Sequence, residues 1–308
     1  MNGITSQPPR SFLKKIFLSP DEPRLRAGWR LLIQTILMLV LLIGLGIPVG
    51  ILSVAIHLNI SGSVYLILNT VVELVAFTGS ICIARRFFDK RSFVSLGFKL
   101  ERQTLLDLLA GIVITFFMMG LIYLAMWALG WLRFNGFAWH FDPLPVVLGQ
   151  LLLYFLIFVI VGWQEELLSR GYHLQTLASG INLFWGVVIS SAIFGLLHLS
   201  NPNATWVSAA GIFFAGLFLA LGYLRTGQLW LSIGLHIGWN FFEGVVFGFP
   251  VSGLAIYPLT RITVSGPELW TGGAFGPEAG LIVLPAIAIG ALLIYLYSRI
   301  RGRSTEKA

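Results

Sequence analysis

The chain has 308 residues, of which 57% are hydrophobic and only 11% are charged. Soluble domains carry roughly 25% charged residues, so this composition excludes a soluble fold and predicts an integral membrane protein. The net charge of +7 could suggest a nucleic-acid partner, but the Lys and Arg residues lie in short segments that flank apolar runs. That distribution indicates membrane topology, and we expect no nucleic-acid binding. The single cysteine, Cys82, excludes an internal disulfide and a cysteine-based zinc site.

The N-terminal segment is polar and basic, and it contains a run from Phe12 to Leu18 in which apolar and basic residues alternate. This run predicts an interfacial helix, although a disordered basic tail fits the composition equally well. The first long apolar run, Leu31 to Ile56, exceeds the roughly 7 to 15 residues of a signal-peptide core. We therefore interpret it as a membrane span and expect that nothing is cleaved off.

Apolar runs near the roughly 20 residues that a bilayer requires follow along the chain. Together they predict an all-α, polytopic membrane helix bundle with about eight transmembrane helices. We expect a cytoplasmic basic segment over residues 1–30, a transmembrane bundle over 31–298 with a catalytic core at about 146–248, and a cytoplasmic basic tail over 299–308. The seven further runs are Val64 to Ala84, Leu108 to Leu129, Val146 to Val161 and onward, Leu183 to Leu199, Trp206 to Leu224, Leu229 to Phe247, and Gly280 to Tyr297.

The basic residues predict how the bundle is oriented. All 20 Lys and Arg residues except Arg133 and Arg261 fall on one side of the eight-span arrangement. Because cytoplasmic loops are enriched in Lys and Arg, we predict that both termini face the cytoplasm. The longest outer loop is then Pro250 to Glu278, whose Gly- and Pro-rich sequence indicates turns and no chemistry.

The segment Gly162 to Arg170 places two carboxylates and a guanidinium at the end of an uninterrupted apolar run. Ionisable groups at membrane depth are costly, so they indicate a functional site. On a helix, Glu166 and Arg170 stand at i,i+4 and can pair, which makes them candidate supporting residues. Glu165 points roughly 100° away and has no partner in its own segment. We therefore expect the partners of Glu165 to come from other segments.

Two later segments offer such partners. His198 lies at the end of the fifth span, and His236 and Asn240 share one face of the seventh span at i,i+4. With a turn at Gly180 to Asn182, Glu166 and His198 lie about 21 to 24 Å from that turn in an antiparallel helix pair. We predict that Glu165, His198, His236 and Asn240 meet inside the bundle.

The depth of this predicted site stays open. Glu165 lies about 28 Å along its span, near the inner face, whereas His198 precedes the outer loop by only a few residues. A tilted helix, a break at Gly162 or a wet recess could reconcile the two positions. Glu243, seven residues after His236, could line the same cavity, but no other feature of the sequence supports a role for it.

Three motifs in chain order carry a resemblance to a known family. They are Glu165-Glu166-x-x-x-Arg170, Phe194-x-x-x-His198 and His236-x-x-x-Asn240, and the stretch from Arg91 to Phe98 is also similar to that family. The sequence resembles the intramembrane proteases of the CAAX-processing and bacteriocin-processing family. The resemblance implies hydrolysis of a peptide bond in a membrane-associated peptide or protein, within the bilayer of a bacterial plasma membrane. It also implies that Glu165 and His198 activate water, while His236 and Asn240 stabilise the oxyanion.

Other functions use the same residues. Glu165, His198 and His236 could hold a catalytic zinc ion, since two His and one Glu form a known zinc set. We favour water activation without a metal or other cofactor, mainly because of the family resemblance. Glu and His side chains within membranes also mark the proton pathways of transporters, but the sequence shows no inverted repeats. A non-catalytic immunity or scaffold protein is the remaining alternative.

Overall fold

The computed structural model describes residues 12–20, 22–57 and 63–305. These residues form a helical bundle with one two-stranded antiparallel sheet, which confirms the predicted all-α membrane bundle. Three π-helical segments, Ala84–Phe88, Leu167–Leu174 and Phe241–Val246, directly continue α3, α5 and α9. The elements are α1 Phe12–Phe17, α2 Ala27–Ala55, α3 Ser63–Ile83, α4 Thr104–Ala128, β1 Leu132–Phe137, α5 Leu144–Glu166, α6 Gln175–Gly180, α7 Leu183–Leu197, α8 Trp206–Thr226, α9 Trp230–Asn240, β2 Thr260–Val264, α10 Glu268–Thr271 and α11 Val283–Thr305.

The predicted count of about eight spans needs a correction. Among the described residues, seven helices are long and apolar enough to cross a membrane. The predicted span that is missing from this set is the seventh, Leu229 to Phe247, which contains the 11 residues of α9 and the six π-helical residues that follow. Ten of the 11 residues of α9, all except Trp230, are buried. A helix that is surrounded by other helices does not have to match the thickness of the hydrocarbon layer by itself.

The helices around the predicted site begin and end at recognisable signals. Asn182 precedes α7, and its side chain accepts a hydrogen bond from the backbone N–H of Trp185 at 3.0 Å. Thr205 and Ser208 form a capping box at the start of α8. Gly227 ends α8 in the left-handed conformation with φ of 67°, which glycine adopts without a steric penalty. These short connections make α7, α8 and α9 consecutive antiparallel helices.

Glycine residues allow α9 to pack closely against α4. A Cβ atom at Gly234 would collide with the backbone of Leu108, and one at Gly238 would collide with the side chain of Thr115. Small residues at a helix interface let two backbones approach, which is the usual way that membrane helices gain packing energy. The helix that carries His236 and Asn240 is therefore held against a long membrane-spanning partner.

The two ends of the bundle differ in charge. At the basic end, Arg30 near the start of α2 pairs with Asp89, and Arg301 near the end of α11 pairs with Asp107. The beginning of α9 lies at the same end, because Gln228 accepts a hydrogen bond from the backbone N–H of Lys99. The opposite end, here called the sheet end, contains β1, β2 and the loops that flank them. Both described ends of the chain thus lie at the basic end.

The N-terminal segment is only partly described. A short helix, α1, covers most of the run in which we predicted an interfacial helix, and the indole N–H of Trp29 donates to the carbonyl of Ile16 at 3.2 Å. Phe12 and Leu13 are largely exposed, as expected of a helix at a membrane interface. Residues 1–11 of the predicted basic segment and residues 306–308 of the predicted tail lie outside the described residues.

Candidate active site

Glu166 and Arg170 form a buried ion pair just where α5 changes to π-helix. Nη1 of Arg170 lies 2.8 Å from Oε1 of Glu166, and both side chains are almost completely inaccessible. Nη2 of Arg170 donates to the carbonyl of Gly216 on α8 at 2.9 Å, and the guanidinium lies 4.4 Å from the centre of the Phe194 ring. The pair predicted from i,i+4 spacing therefore also connects α5 to α7 and α8.

Glu166 has a second partner that the sequence did not indicate. Oε1 of Glu166 lies 2.8 Å from Nδ1 of His236 on α9. This contact fixes the plane of the imidazole and directs its Nε2 towards Glu165, from which it is 3.7 Å distant. Local spacing could not predict the contact because the two residues are 70 positions apart in the chain.

The carboxylate of Glu165 faces both predicted histidines. Its Oε2 lies 3.9 Å from Nε2 of His198 and 3.7 Å from Nε2 of His236. These distances exceed direct hydrogen bonds but match the separation that one water molecule can bridge. The side chain of Glu165 is 24% exposed, whereas that of Glu166 is fully buried. Of the two adjacent carboxylates, Glu165 is therefore the more accessible one, and its Oε2 atom is buried without a hydrogen-bond partner among the described residues.

Close packing of α5 and α9 brings these groups together. A Cβ atom at Gly162 would lie 2.8 Å from Cγ1 of Ile237, so only glycine permits this approach. The helix α5 continues without interruption through Gly162 and becomes π-helical only after Glu166. The break at Gly162 that we considered is therefore absent, and the depth difference has another cause.

That cause is the shortness of α7. This helix has 15 residues and ends at Leu197, so His198 is the first residue after the helix, and its Nε2 lies 3.9 Å from Oε2 of Glu165. Nδ1 of His198 is 2.8 Å from the carbonyl oxygen of Phe194. Because a carbonyl only accepts, Nδ1 carries the proton, and Nε2 of neutral His198 presents a lone pair towards Glu165.

Asn240 is the last residue of α9 and lies one turn beyond His236. Asn240 is 7% exposed and therefore almost completely buried. The π-helical segment Phe241–Val246 begins immediately after it. Both motif-bearing helices, α5 and α9, therefore change to π-helix directly after their polar residues, and such π-segments occur frequently at functional sites.

A third carboxylate lies close to the pair on α5. Nε2 of Gln164 donates to Oε2 of Glu73 on α3 at 2.9 Å, which links α3 to the residue that precedes Glu165. The sequence shows Glu73 only as an isolated polar residue in the second span. Its partner becomes visible only once α3 and α5 are packed together.

The described residues show no group of three or more His, Cys, Asp or Glu side chains that could hold a metal ion. The zinc alternative would use the carboxylate of Glu165 and the Nε2 atoms of His198 and His236. The two Nε2 atoms already face the carboxylate of Glu165.

Comparisons with known proteins agree with the resemblance seen in the motifs. A family model described as Type II CAAX prenyl endopeptidase Rce1-like matches residues 147–242, from the first turn of α5 to the π-helical segment after α9. The Putative membrane peptidase YdiL of Bacillus subtilis (strain 168) is 30% identical over 111 residues, which are 36% of this chain and 41% of that protein. The matched part of the chain thus spans about two fifths of this relative. All six predicted site residues lie within the family match.

Proposed function

We propose that the protein is an intramembrane endopeptidase. The premise is that residues 147–242 are an Rce1-like segment of the CAAX-processing and bacteriocin-processing family. Its substrate would be a membrane-associated peptide or protein. The observation that carries this proposal is the convergence of one accessible carboxylate, Glu165, with the Nε2 atoms of two histidines at 3.7 and 3.9 Å.

Glu165 and His198 are proposed to activate the attacking water. The carboxylate accepts one proton of a water molecule that lies between it and the lone pair on Nε2 of His198. General-base catalysis of this kind contributes about 10² to 10⁴ in rate. Because the Phe194 carbonyl holds the other nitrogen of His198, the ring keeps its lone pair directed at the same water.

His236 and Asn240 are proposed to stabilise the oxyanion of the tetrahedral intermediate. The contact of Nδ1 with Glu166 supports a protonated ring, whose Nε2–H can then donate into the recess. The amide of Asn240 supplies a second donor. One such donor is typically worth about 10² to 10³ in rate.

Glu166 and Arg170 are proposed to support the site without touching the substrate. Glu166 orients His236 and is held in turn by Arg170, whose guanidinium is fixed by Gly216 and Phe194. This chain of contacts keeps the oxyanion donor in place before substrate arrives, which is the condition for efficient electrostatic stabilisation.

The protein is an integral membrane protein, since seven of its described helices can span a bilayer. We propose a bacterial plasma membrane and a cytoplasmic location for the basic end. The charge pairs and exposed basic residues at that end support this orientation because Lys and Arg are enriched in cytoplasmic segments.

The substrate can be sought by comparing membranes that contain the native protein with membranes that contain Glu165→Ala. We expect peptides from one or a few membrane proteins to be cleaved only in the native sample, as measured by mass spectrometry. Identical fragments in both samples would argue for the immunity or scaffold alternative. Glu165-dependent proton flux without cleavage would support the transporter alternative.

The zinc alternative is tested by chelation. Purified protein in detergent should keep its peptidase activity after exhaustive treatment with a chelator, because Glu165 and His198 are assigned to water. Loss of activity, restored by about one equivalent of zinc, would change the proposal to a metalloprotease with ligands Glu165, His198 and His236.

A further inference from the structure

The loop from Pro250 to Glu278, in which the sequence indicated no chemistry, packs into the bundle. It contacts the helix α9, which carries His236 and Asn240, and the segment that follows His198. Its key residue is Glu278, which follows Gly276 and Pro277 and is only 4% exposed. A carboxylate that is buried in a loop requires hydrogen-bond donors, since an unpaired charge there would be costly. Glu278 has three donors from two separate elements.

One donor connects Glu278 to the helix of the proposed oxyanion donors. Nε1 of Trp239 donates to Oε1 of Glu278 at 3.0 Å. Trp239 is 3% exposed and immediately precedes Asn240, the last residue of α9. The carboxylate of Glu278 therefore holds the end of α9 at the point where it carries Asn240.

The other two donors connect Glu278 to the segment that follows His198. Both the backbone N–H and the hydroxyl of Ser252 donate to Oε2 of Glu278 at 2.7 Å. The carbonyl of Ser252 accepts from the side chain of Asn201 at 3.0 Å. Asn201 is three residues beyond His198, so a short chain of contacts runs from Glu278 to the proposed water-activating histidine.

Ser252 has an unusual backbone conformation that serves these contacts. Its φ angle is 47°, in the left-handed region that non-glycine residues rarely adopt. This conformation lets one residue donate two hydrogen bonds to Glu278 and accept one from Asn201. Residues kept in such sparsely populated conformations cost of order 1–3 kcal/mol and cluster at functional sites.

We propose that Glu278 is a positioning residue that fixes the His198 segment and the His236–Asn240 helix relative to each other. The inference rests on the proposed peptidase function. Glu278 itself lies outside the family match, which ends at residue 242. Peptide hydrolysis needs the base and the oxyanion donors on opposite sides of one carbonyl, so their separation has to be held closely. A misplacement of about 1 Å can lower a rate by about 10²-fold.

The test compares Glu278→Gln with two matched variants in the purified full-length protein. Ser53→Ala is the buried control, since the hydroxyl of Ser53 donates within its own helix, to the carbonyl of Val49 on α2. Glu268→Gln is the exposed control in the same loop. We expect Glu278→Gln to lower kcat by about 10- to 100-fold with KM changed less than about threefold, and both controls to keep kcat within about threefold.

A second readout needs no substrate. Hydrogen exchange should become faster in Glu278→Gln at residues 198–205 and at residues 236–246, and it should stay unchanged there in both control variants. If Glu278→Gln folds poorly, Ser252→Ala is used instead. It should show smaller increases in the hydrogen-exchange rate at the same residues, because it removes one of the three donors to Glu278. Asn201→Ala should add little to Glu278→Gln, since both variants interrupt the same chain of contacts.

The outcomes separate this inference from the proposed function. Unchanged exchange in either catalytic segment, or faster exchange confined to residues 250–280, would overturn the positioning role. An unchanged kcat in Glu278→Gln would overturn it as well. If wild-type protein cleaves no substrate at all, the peptidase proposal fails, and the exchange experiment still decides whether Glu278 links the two segments.

Discussion

Two adjacent glutamates on α5 have different environments and therefore different proposed roles. Glu166 is fully buried, and its Oε1 contacts both Arg170 and His236 at 2.8 Å, so a substrate cannot reach it. Glu165 is partly accessible and faces the two histidine Nε2 atoms. The one-residue offset on a helix rotates neighbouring side chains by about 100°, which is enough to separate a structural carboxylate from a reactive one.

Replacing Glu166 by Gln should lower stability as well as activity. The variant leaves Arg170 buried without its charge partner and weakens the contact to His236. Loss of one member of a buried ion pair typically costs about 3–5 kcal/mol. Thermal unfolding in detergent should show a clear decrease in melting temperature relative to wild type, and Glu268→Gln should melt like wild type. A Glu166→Gln protein that melts normally would mean that the Arg170 pair contributes little to the fold.

The sequence predicted part of this site because some of its contacts are local. Helical spacing identified the Glu166–Arg170 pair, and counting residues from the turn at Gly180 to Asn182 predicted that Glu166 and His198 lie level. The contact of Glu166 with His236 depends on how α5 packs against α9, which no local pattern contains. Glu278 was missed for the same reason, since its sequence context of Gly and Pro shows a turn but not what the turn contacts.

At the scale of elements, α9 is the helix on which the site depends. It packs against α4, α5 and α8, and two of these contacts require glycine at the interface. The polar residues of α9 are placed correctly only if the backbone of α9 stays close to α4 and α5. The apolar periodicity predicted where α9 lies in the chain, but its short length and nearly complete burial follow from packing that the hydropathy pattern cannot show.

Adding a single methyl group to this interface should be destabilising. In Gly234→Ala the new Cβ meets the backbone of Leu108, and overpacking of this kind costs about 1–3 kcal/mol. Gly149→Ala on α5 is the matched control, because no atom lies within 4 Å of its added Cβ. We expect a lower melting temperature and reduced cleavage for Gly234→Ala only. Equal melting of the two variants would show that α4 and α9 can separate without loss of stability.

At the scale of the whole molecule, both described ends of the chain lie at the basic end of the bundle. Seven helices have the length of a membrane span, and the short α9 still runs from the basic end to the sheet end. The π-helical segment that continues α9 contacts the loop before β2, where the backbone N–H of Leu259 donates to the carbonyl of Val245 at 2.6 Å. The pattern of basic residues led to the same arrangement because charge and hydropathy are properties that the sequence displays directly.

The orientation can be measured with topology reporters. A reporter fused after Arg303 should give a cytoplasmic signal, and one inserted at the exposed Glu268 in the Pro250 to Glu278 loop should give an outer signal. Inverted signals would reverse the orientation that we propose. The same signal from both positions would contradict an arrangement in which α11 crosses the membrane.

The central claim, that Glu165 is the base in peptide hydrolysis, is tested most directly by the cleavage rate of purified Glu165→Gln. This substitution keeps the shape of the side chain and removes the carboxylate. We expect kcat to fall by about 10² to 10⁴ while the melting temperature stays that of wild type, because Glu165 makes no close ion pair. Normal cleavage by Glu165→Gln, together with a folded, stable and inactive Glu166→Gln, would contradict the claim and exchange the roles of the two carboxylates.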